Sequence, residues 1–498
     1  VYHHLGSANT LQEVSEMTTM FGLESNRSAS RGAMLGLAAI LVLSTLFLSY
    51  AVPLTPGRML HPAATLFERV PLWSFLSAHH PAFLANHNVF AFLLLLACGS
   101  GFVVCALGVW LTWRAGLRRD LLTIAIGTGM LCTALTLFAP PNLNSNLWNF
   151  MLRARVATAH GHNPYVTAAA EFPDDPLYPY ANPKYTGTPG CKLAAWMVFS
   201  MMFAKIGAGD PVQTLFAYRT GLLLFAWGTL FLLTAAVRKL APDRAVAGVI
   251  FWAWNPIVLM NSLARTDTIM LFYLALAVFL LAMERRRLAV IPLTLSIFVK
   301  IIPAPLLAVS TIADARAGRW KEVLFTILLF VATTVVIWLP FYHHNALSLV
   351  RQYSEVAGSA EGSVGGSAKF FASIGFALLV VLVGVTRKGD VKNLLSGWVL
   401  IQIYFSLFFA KFASADYLMS LIFLVAVTLD WRALLLTFAI GLSYFLFDEW
   451  YLVGSENFPL PDLFPFSKSV VFWIPPIAGA LALVFWFFWR RSRSPAVQ

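Results

Sequence analysis

Charged residues are scarce in this chain. Asp, Glu, Lys and Arg make up 12% of its 498 residues, where soluble globular proteins carry about 25%, so a soluble domain is excluded. The short segments of alternating polarity that an outer-membrane barrel needs are also lacking, which removes that architecture. Four cysteines, Cys98, Cys105, Cys132 and Cys191, show no metal-ligand spacing. Three of them fall inside apolar runs, so neither a cysteine metal site nor a disulfide framework is expected. What remains is abundant: 59% of the residues are hydrophobic. Apolar windows of about 20 residues, long enough to cross a bilayer as a helix, recur along the whole sequence. The expected fold class is an all-α polytopic membrane protein.

The formal net charge of +12 does not point to nucleic acid. The basic residues collect in short loops after alternate apolar runs, as the positive-inside rule requires. About 14 spans are expected, near 33–53, 89–112, 121–139, 214–237, 245–262, 268–283, 288–299, 302–313, 322–340, 370–386, 394–411, 415–429, 432–448 and 469–489. The basic clusters are Arg114/Arg118/Arg119, Arg238/Lys239/Arg244, Arg285/Arg286/Arg287, Arg316/Arg319/Lys321, Arg387/Lys388/Lys392 and Arg490/Arg491/Arg493. Placed together on the cytoplasmic side of a bacterial inner membrane, they make both termini cytoplasmic. The expected organisation is a cytoplasmic tail at 1–32, a single transmembrane domain at 33–489 and a second tail at 490–498. The first span lacks a small-residue cleavage site and reads as a retained helix. The scheme holds on one condition: residues 191–207 (CKLAAWMVFSMMFAKIG) lie along the outer interface instead of crossing. The long external loops are then 54–88, 140–213, 341–369 and 449–468, and Lys300 sits at the outer tip of the short pair 288–313.

Polar chemistry is concentrated in one external stretch, 142–165, NLNSNLWNFMLRARVATAHGHNPY. An enzyme on that face meets activated substrates attached to lipids. It needs cations for a lipid phosphate, aromatics and amides for a sugar, and a carboxylate to take a proton from an acceptor hydroxyl. Candidate cations are Arg153 and Arg155, on an amphipathic segment whose Trp148 and Phe150 are able to lie in lipid, with Arg265 and Lys300. For Lys300 the alternative is snorkelling from a helix end. Candidate carboxylates are Glu171, Asp174 and Asp175 in EFPDDPLYPY, and Asp267. Asp174 and Asp175 also fit a solvated turn before Pro176, and Asp267 also fits a salt bridge to Arg265 that caps its helix. His160/His162 and His343/His344 lack the i,i+4 spacing of paired ligands and an accompanying carboxylate, so no metal and no cofactor is expected. In the Asn163-Pro164-Tyr165 segment, Pro164 is expected to stop the interfacial helix, Asn163 to cap it and Tyr165 to anchor at the interface. The Gly/Ser-rich stretch 354–368 reads as a flexible connector.

The order of these segments resembles the GT-C superfamily of integral-membrane glycosyltransferases, in particular the bacterial polyprenyl-phosphate-mannose-dependent mannosyltransferase branch. The likeness covers roughly residues 120–345: the helix ending in Asn-Pro-Tyr, DPLYPY, a second interfacial helix, then AYRTGLLL, WNPIVLMNSLARTDTIMLF and SIFVKIIPAPLL. It implies transfer of a mannose-like sugar from a polyprenyl-phosphate donor to the hydroxyl of a glycan or lipid-linked acceptor outside the membrane. It also implies an acid in the first large loop as base, and cations on the lipid phosphate. On this sequence the family's acid position falls at Asn146, Arg155 matches its arginine and Ala154 replaces its glycine. An asparagine amide cannot usefully take a proton near neutral pH. TGTPGCKLAAW after Tyr185, and FFAKFASADYLMS late in the chain, also depart from the family pattern.

Three explanations follow. Another acid (Asp175, Asp174, Glu171 or Asp267) is the base while Asn146 binds sugar. Alternatively, the chain binds or moves a lipid-linked sugar without chemistry, or it is a non-catalytic membrane subunit with a protein partner. Transport is disfavoured by the single short helix pair at 288–313, which has no counterpart elsewhere in the sequence. The candidate site is Asn146, Asp175 and Asp267 for catalysis, with Arg153, Arg155, Asn163, Tyr165, Tyr185, Arg265 and Lys300 for substrate binding. Membrane lipids are expected neighbours, and nucleic acid is not a partner.

Overall fold

The computed structural model describes residues 27–51, 66, 68–79, 81–140, 145–189, 193–342, 366–387, 389–408 and 415–444. Residues 1–26 of the N-terminal tail, the C-terminal tail, the expected span at 469–489, Cys191, His343, His344 and most of 354–368 lie outside them. The described residues contain helices and turns and no strand. The helices are α1 (Arg27–Leu46), α2 (Pro71–Ala78), α3 (His87–Thr112), α4 (Arg119–Leu137), α5 (Ser145–Thr158) and α6 (Ala194–Ile206). They continue as α7 (Pro211–Leu240), α8 (Ala245–Ala253), α9 (Pro256–Asn261), α10 (Asp267–Ala282), α11 (Arg286–Val299) and α12 (Ala304–Arg316). The last are α13 (Trp320–Trp338), α14 (Gly366–Thr386), α15 (Val391–Phe408), α16 (Ala415–Thr428) and α17 (Trp431–Tyr444).

Ser30–Tyr50, Arg119–Leu137, Pro211–Leu240 and Trp320–Phe341 are long and apolar enough to cross a membrane. Several other helices at expected spans are shorter, among them α11 and α12 with 14 and 13 residues. This is an α-helical protein with membrane-compatible helices.

The bundle is built around α8. All nine of its residues are buried, and α3, α4, α7 and α16 pack around it. A helix apolar on every side belongs at such a centre. The expected continuous span 245–262 is interrupted here, because Trp254 and Asn255 separate α8 from α9. Pro256 has no N–H, so the Trp252 carbonyl loses its i+4 partner. Asn255 restarts the chain as N-cap, its Oδ1 accepting the Ile257 N–H at 3.1 Å. The short pair α11–α12 therefore has a companion interruption, hidden in the sequence within an apolar run.

The two ends of the bundle differ in chemistry. At one end, Arg118 donates to Ser30 Oγ at 2.8 Å, and Arg244 lies 4.7 Å over the Trp113 ring and donates to the Leu429 carbonyl at 3.3 Å. Arg286, which opens α11, and Arg319, just before α13, converge on Asp314 of α12, at 3.0 and 2.5 Å. At the opposite end, the last carbonyls of α4 are capped from three elements. Tyr50 Oη donates to Leu135 O at 2.7 Å, Trp73 Nε1 to Phe138 O at 2.6 Å, and Arg219 to the carbonyls of Leu137 and Ala139. A cation at the negative end of a helix is favourably placed there.

Candidate functional site

The residues singled out in the sequence gather in two clusters at the end opposite the basic loops. The first is built on α5. That helix stops at Thr158, where the N–H groups of Ala159 and His160 return to the Arg155 carbonyl and Gly161 takes φ +70°. The stop comes from a left-handed glycine, three residues before Pro164, so Pro164 does not end this helix. Asn163 does not cap it either. Its Oδ1 accepts the Tyr165 N–H at 3.0 Å and its Nδ2 donates to Phe341 O at 3.1 Å. Tyr165 is buried, 5.1 Å from both the Trp338 and Phe341 rings. The Asn-Pro-Tyr segment docks the loop onto the end of α13.

The reading of Trp148 and Phe150 as able to lie in lipid is also corrected. Both are buried in protein, because α6 and the loop after α5 cover the helix. Trp148 stacks on Tyr180 at 4.9 Å and Phe150 meets Trp196 edge-on at 5.3 Å.

On the same helix Arg155 Nε reaches Asp175 Oδ1 and Oδ2 at 3.0 and 2.8 Å. His160 Nε2 lies 2.8 Å from Oδ2, and the Leu177 N–H donates to Oδ1 at 2.9 Å. The Asp175 side chain is 0% exposed, so the solvated-turn reading does not hold for it, while Asp174 beside it is exposed. Breaking a buried pair of this kind by removing one partner costs about 3–5 kcal/mol. Phe172 stacks on His160 with ring centroids 4.0 Å apart, closing the cluster. Gly209, at φ +89°, lies against the Arg155 guanidinium: a Cβ there would stand 3.1 Å from Nη1. Arg153 donates to Tyr185 O at 2.8 Å and to Thr188 Oγ1 at 3.0 Å, which ties Tyr185 to α5 through its backbone and leaves its ring exposed. Asn146 belongs to the first turn of α5, and its side chain lies outside the described residues.

The second cluster forms where two helix turns meet. Lys300 is the residue after α11, and Asp267 is the first residue of α10. Lys300 Nζ lies 3.1 and 3.4 Å from the two Asp267 oxygens, with side chains 14% and 0% exposed. Each charge sits at the helix end whose dipole favours it. Asp267, read in the sequence either as a site acid or as a partner of Arg265, pairs with Lys300, and Arg265 Nε lies 3.3 Å from Asn261 Oδ1. Arg265, Asp267 and Lys300 are thus together, as are Arg155 and Asp175. Helix α6 packs against both α5 and α11 and joins the two clusters.

Three contributors went unrecognised in the sequence. His160 was weighed there only as a metal ligand. Gly209 carries no signal beyond being a glycine between helices. Arg219 had a usable signal, an ionisable residue inside an expected span, which is a functional candidate by default. Beside the site, Asp210 caps α7 by accepting the Gln213 N–H at 2.9 Å and pairs with Arg69. Burial alone would raise its carboxyl, but the Gln213 N–H, the Arg69 guanidinium and the Val212 N–H hold it below the ordinary carboxylate value. Compared with protein-family models, curated proteins and solved structures, the chain matches none.

Proposed function

We propose that this protein is a glycosyltransferase of the outer face of a bacterial inner membrane, moving a mannose-like sugar from a polyprenyl-phosphate donor to an acceptor hydroxyl. The observation that carries the reading is the Lys300–Asp267 pair, an ammonium and a carboxylate 3.1 Å apart at the meeting of two helix turns, with Arg265 two residues away. A donor phosphate competes with Asp267 for the ammonium. In the reaction the acceptor oxygen bonds to the anomeric carbon, the bond from that carbon to the phosphate oxygen breaks with its electron pair, and the acceptor proton passes to a carboxylate. Negative charge grows on the leaving phosphate in the transition state, so fixed cations there lower the barrier.

The base is an acid of this face: Asp267 once released by Lys300, or exposed Asp174 or Glu171. In a turnover assay Asp267→Asn, Asp174→Asn and Glu171→Gln are compared. The reading expects one to lose at least tenfold while the other two stay near the unmodified rate. Full activity in all three would remove the carboxylate base.

A second reading, a non-catalytic subunit or binding protein for a lipid-linked sugar, is favoured by the burial of Asp175 and Asp267, whose carboxylates are both held in ion pairs. It predicts that the donor binds without turnover and that a membrane protein partner co-purifies.

A further inference from the structure

Within the bundle, below the turn that carries Arg265 and Asp267, lies a cavity of about 20 Å³. Thr133, Trp227, Ala253, Ser262, Thr268 and Met419 line it, drawing on six segments of the fold. Three features of its wall call for a polar occupant. Trp227 Nε1 is buried and has no hydrogen-bond partner among the described residues, and a buried N–H is costly to leave unbonded. The hydroxyls nearby have spent their protons on backbone carbonyls: Thr133 on Gly129 at 2.7 Å, Ser262 on Val258 at 2.5 Å and Thr268 on Ser262 at 2.5 Å. Their lone pairs remain as acceptors. The wall also includes the α8–α9 interruption. There the Trp252 carbonyl, denied an i+4 N–H by Pro256, accepts the Asn255 N–H at 3.4 Å, and the Ile257 N–H due to the Ala253 carbonyl is taken by Asn255 Oδ1.

The wall thus offers one donor and several acceptors. An occupant must accept one hydrogen bond and donate others, which disfavours a bare cation beside the indole N–H. The volume accommodates one water, which requires about 10–15 Å³.

We propose that a structural water molecule is bound in this cavity, accepting from Trp227 Nε1 and donating to the Ala253 carbonyl and to a wall hydroxyl. It replaces the backbone bonding that the interruption removes, as broken helices inside a membrane protein require, and ties α7 to the segment leading into Asp267. This inference is independent of the proposed activity.

X-ray radiolysis of the intact protein in detergent, with a scavenger for bulk radicals, generates hydroxyl radicals at bound waters, and mass spectrometry locates the oxidised side chains. Met419, Met151 and Met270 are all 0% exposed, and of these Met419 alone lines the cavity. The proposal expects Met419 and Trp227 to be oxidised at least severalfold faster than Met151 and Met270. Oxidation of Met419 no faster than of Met270 would overturn it.

Discussion

Lys300 and Asp267 hold each other in a place where either charge alone is costly. Removing one member of a buried pair costs about 3–5 kcal/mol, chiefly because the other is left uncompensated. Lys300→Ala should therefore lower the thermal melting temperature clearly. Adding Asp267→Asn should restore much of that loss, since the amide carries no charge to strand. A single variant that melts like the unmodified protein would mean the pair has no energetic weight. Asp210 behaves differently because its charged form is favoured by folding. Its folded value lies below the ordinary 3.8, so its contribution is fully present above about pH 4 and is lost as pH falls through the lowered folded value. Melting curves from pH 6 to pH 3 should show an acid limb that is shallower in Asp210→Asn; equal slopes would contradict the assignment. Pairings like these were only half visible in the sequence. Arg155, Asp175, Arg265, Asp267 and Lys300 can each be named, but which acid meets which cation depends on contacts from different helices, and Lys300 is not visible in the sequence as the partner of Asp267.

Elements were easier to read than pairings. The apolar runs led directly to α4, α7 and α13, because burial in lipid or protein demands the same long stretch of side chains. The α8–α9 interruption was missed because Asn255-Pro256 sits among residues that are apolar on both sides, where composition alone reads as one span. Trp148 and Phe150 were misplaced for a related reason: an amphipathic face looks the same whether lipid or another helix covers it. That cover is α6, and its fit against α7 depends on Gly221, where a Cβ would collide with the Phe203 ring. Gly221→Leu should push α6 away from α7 and cost about 1–3 kcal/mol by overpacking, with turnover falling too, since α6 joins the two charged clusters. Unchanged melting and unchanged turnover would show that α6 has room to give.

At the scale of the molecule, Arg118, Arg244 and Arg286 of the described basic loops each take a partner from another element, and the polar stretch 145–189 forms part of the opposite end. This polarity is what a protein working on one membrane face needs. The account of its work rests on the charged pair and the order of motifs. It is tested most directly by following release of polyprenyl phosphate from polyprenyl-phosphate mannose, with membrane glycan and lipid extracts as acceptors, by the purified protein and by Asn146→Asp. The account predicts turnover by the unmodified protein. Donor binding without release by the unmodified, folded protein would contradict it, and release by Asn146→Asp alone would show a transferase scaffold that has lost its base.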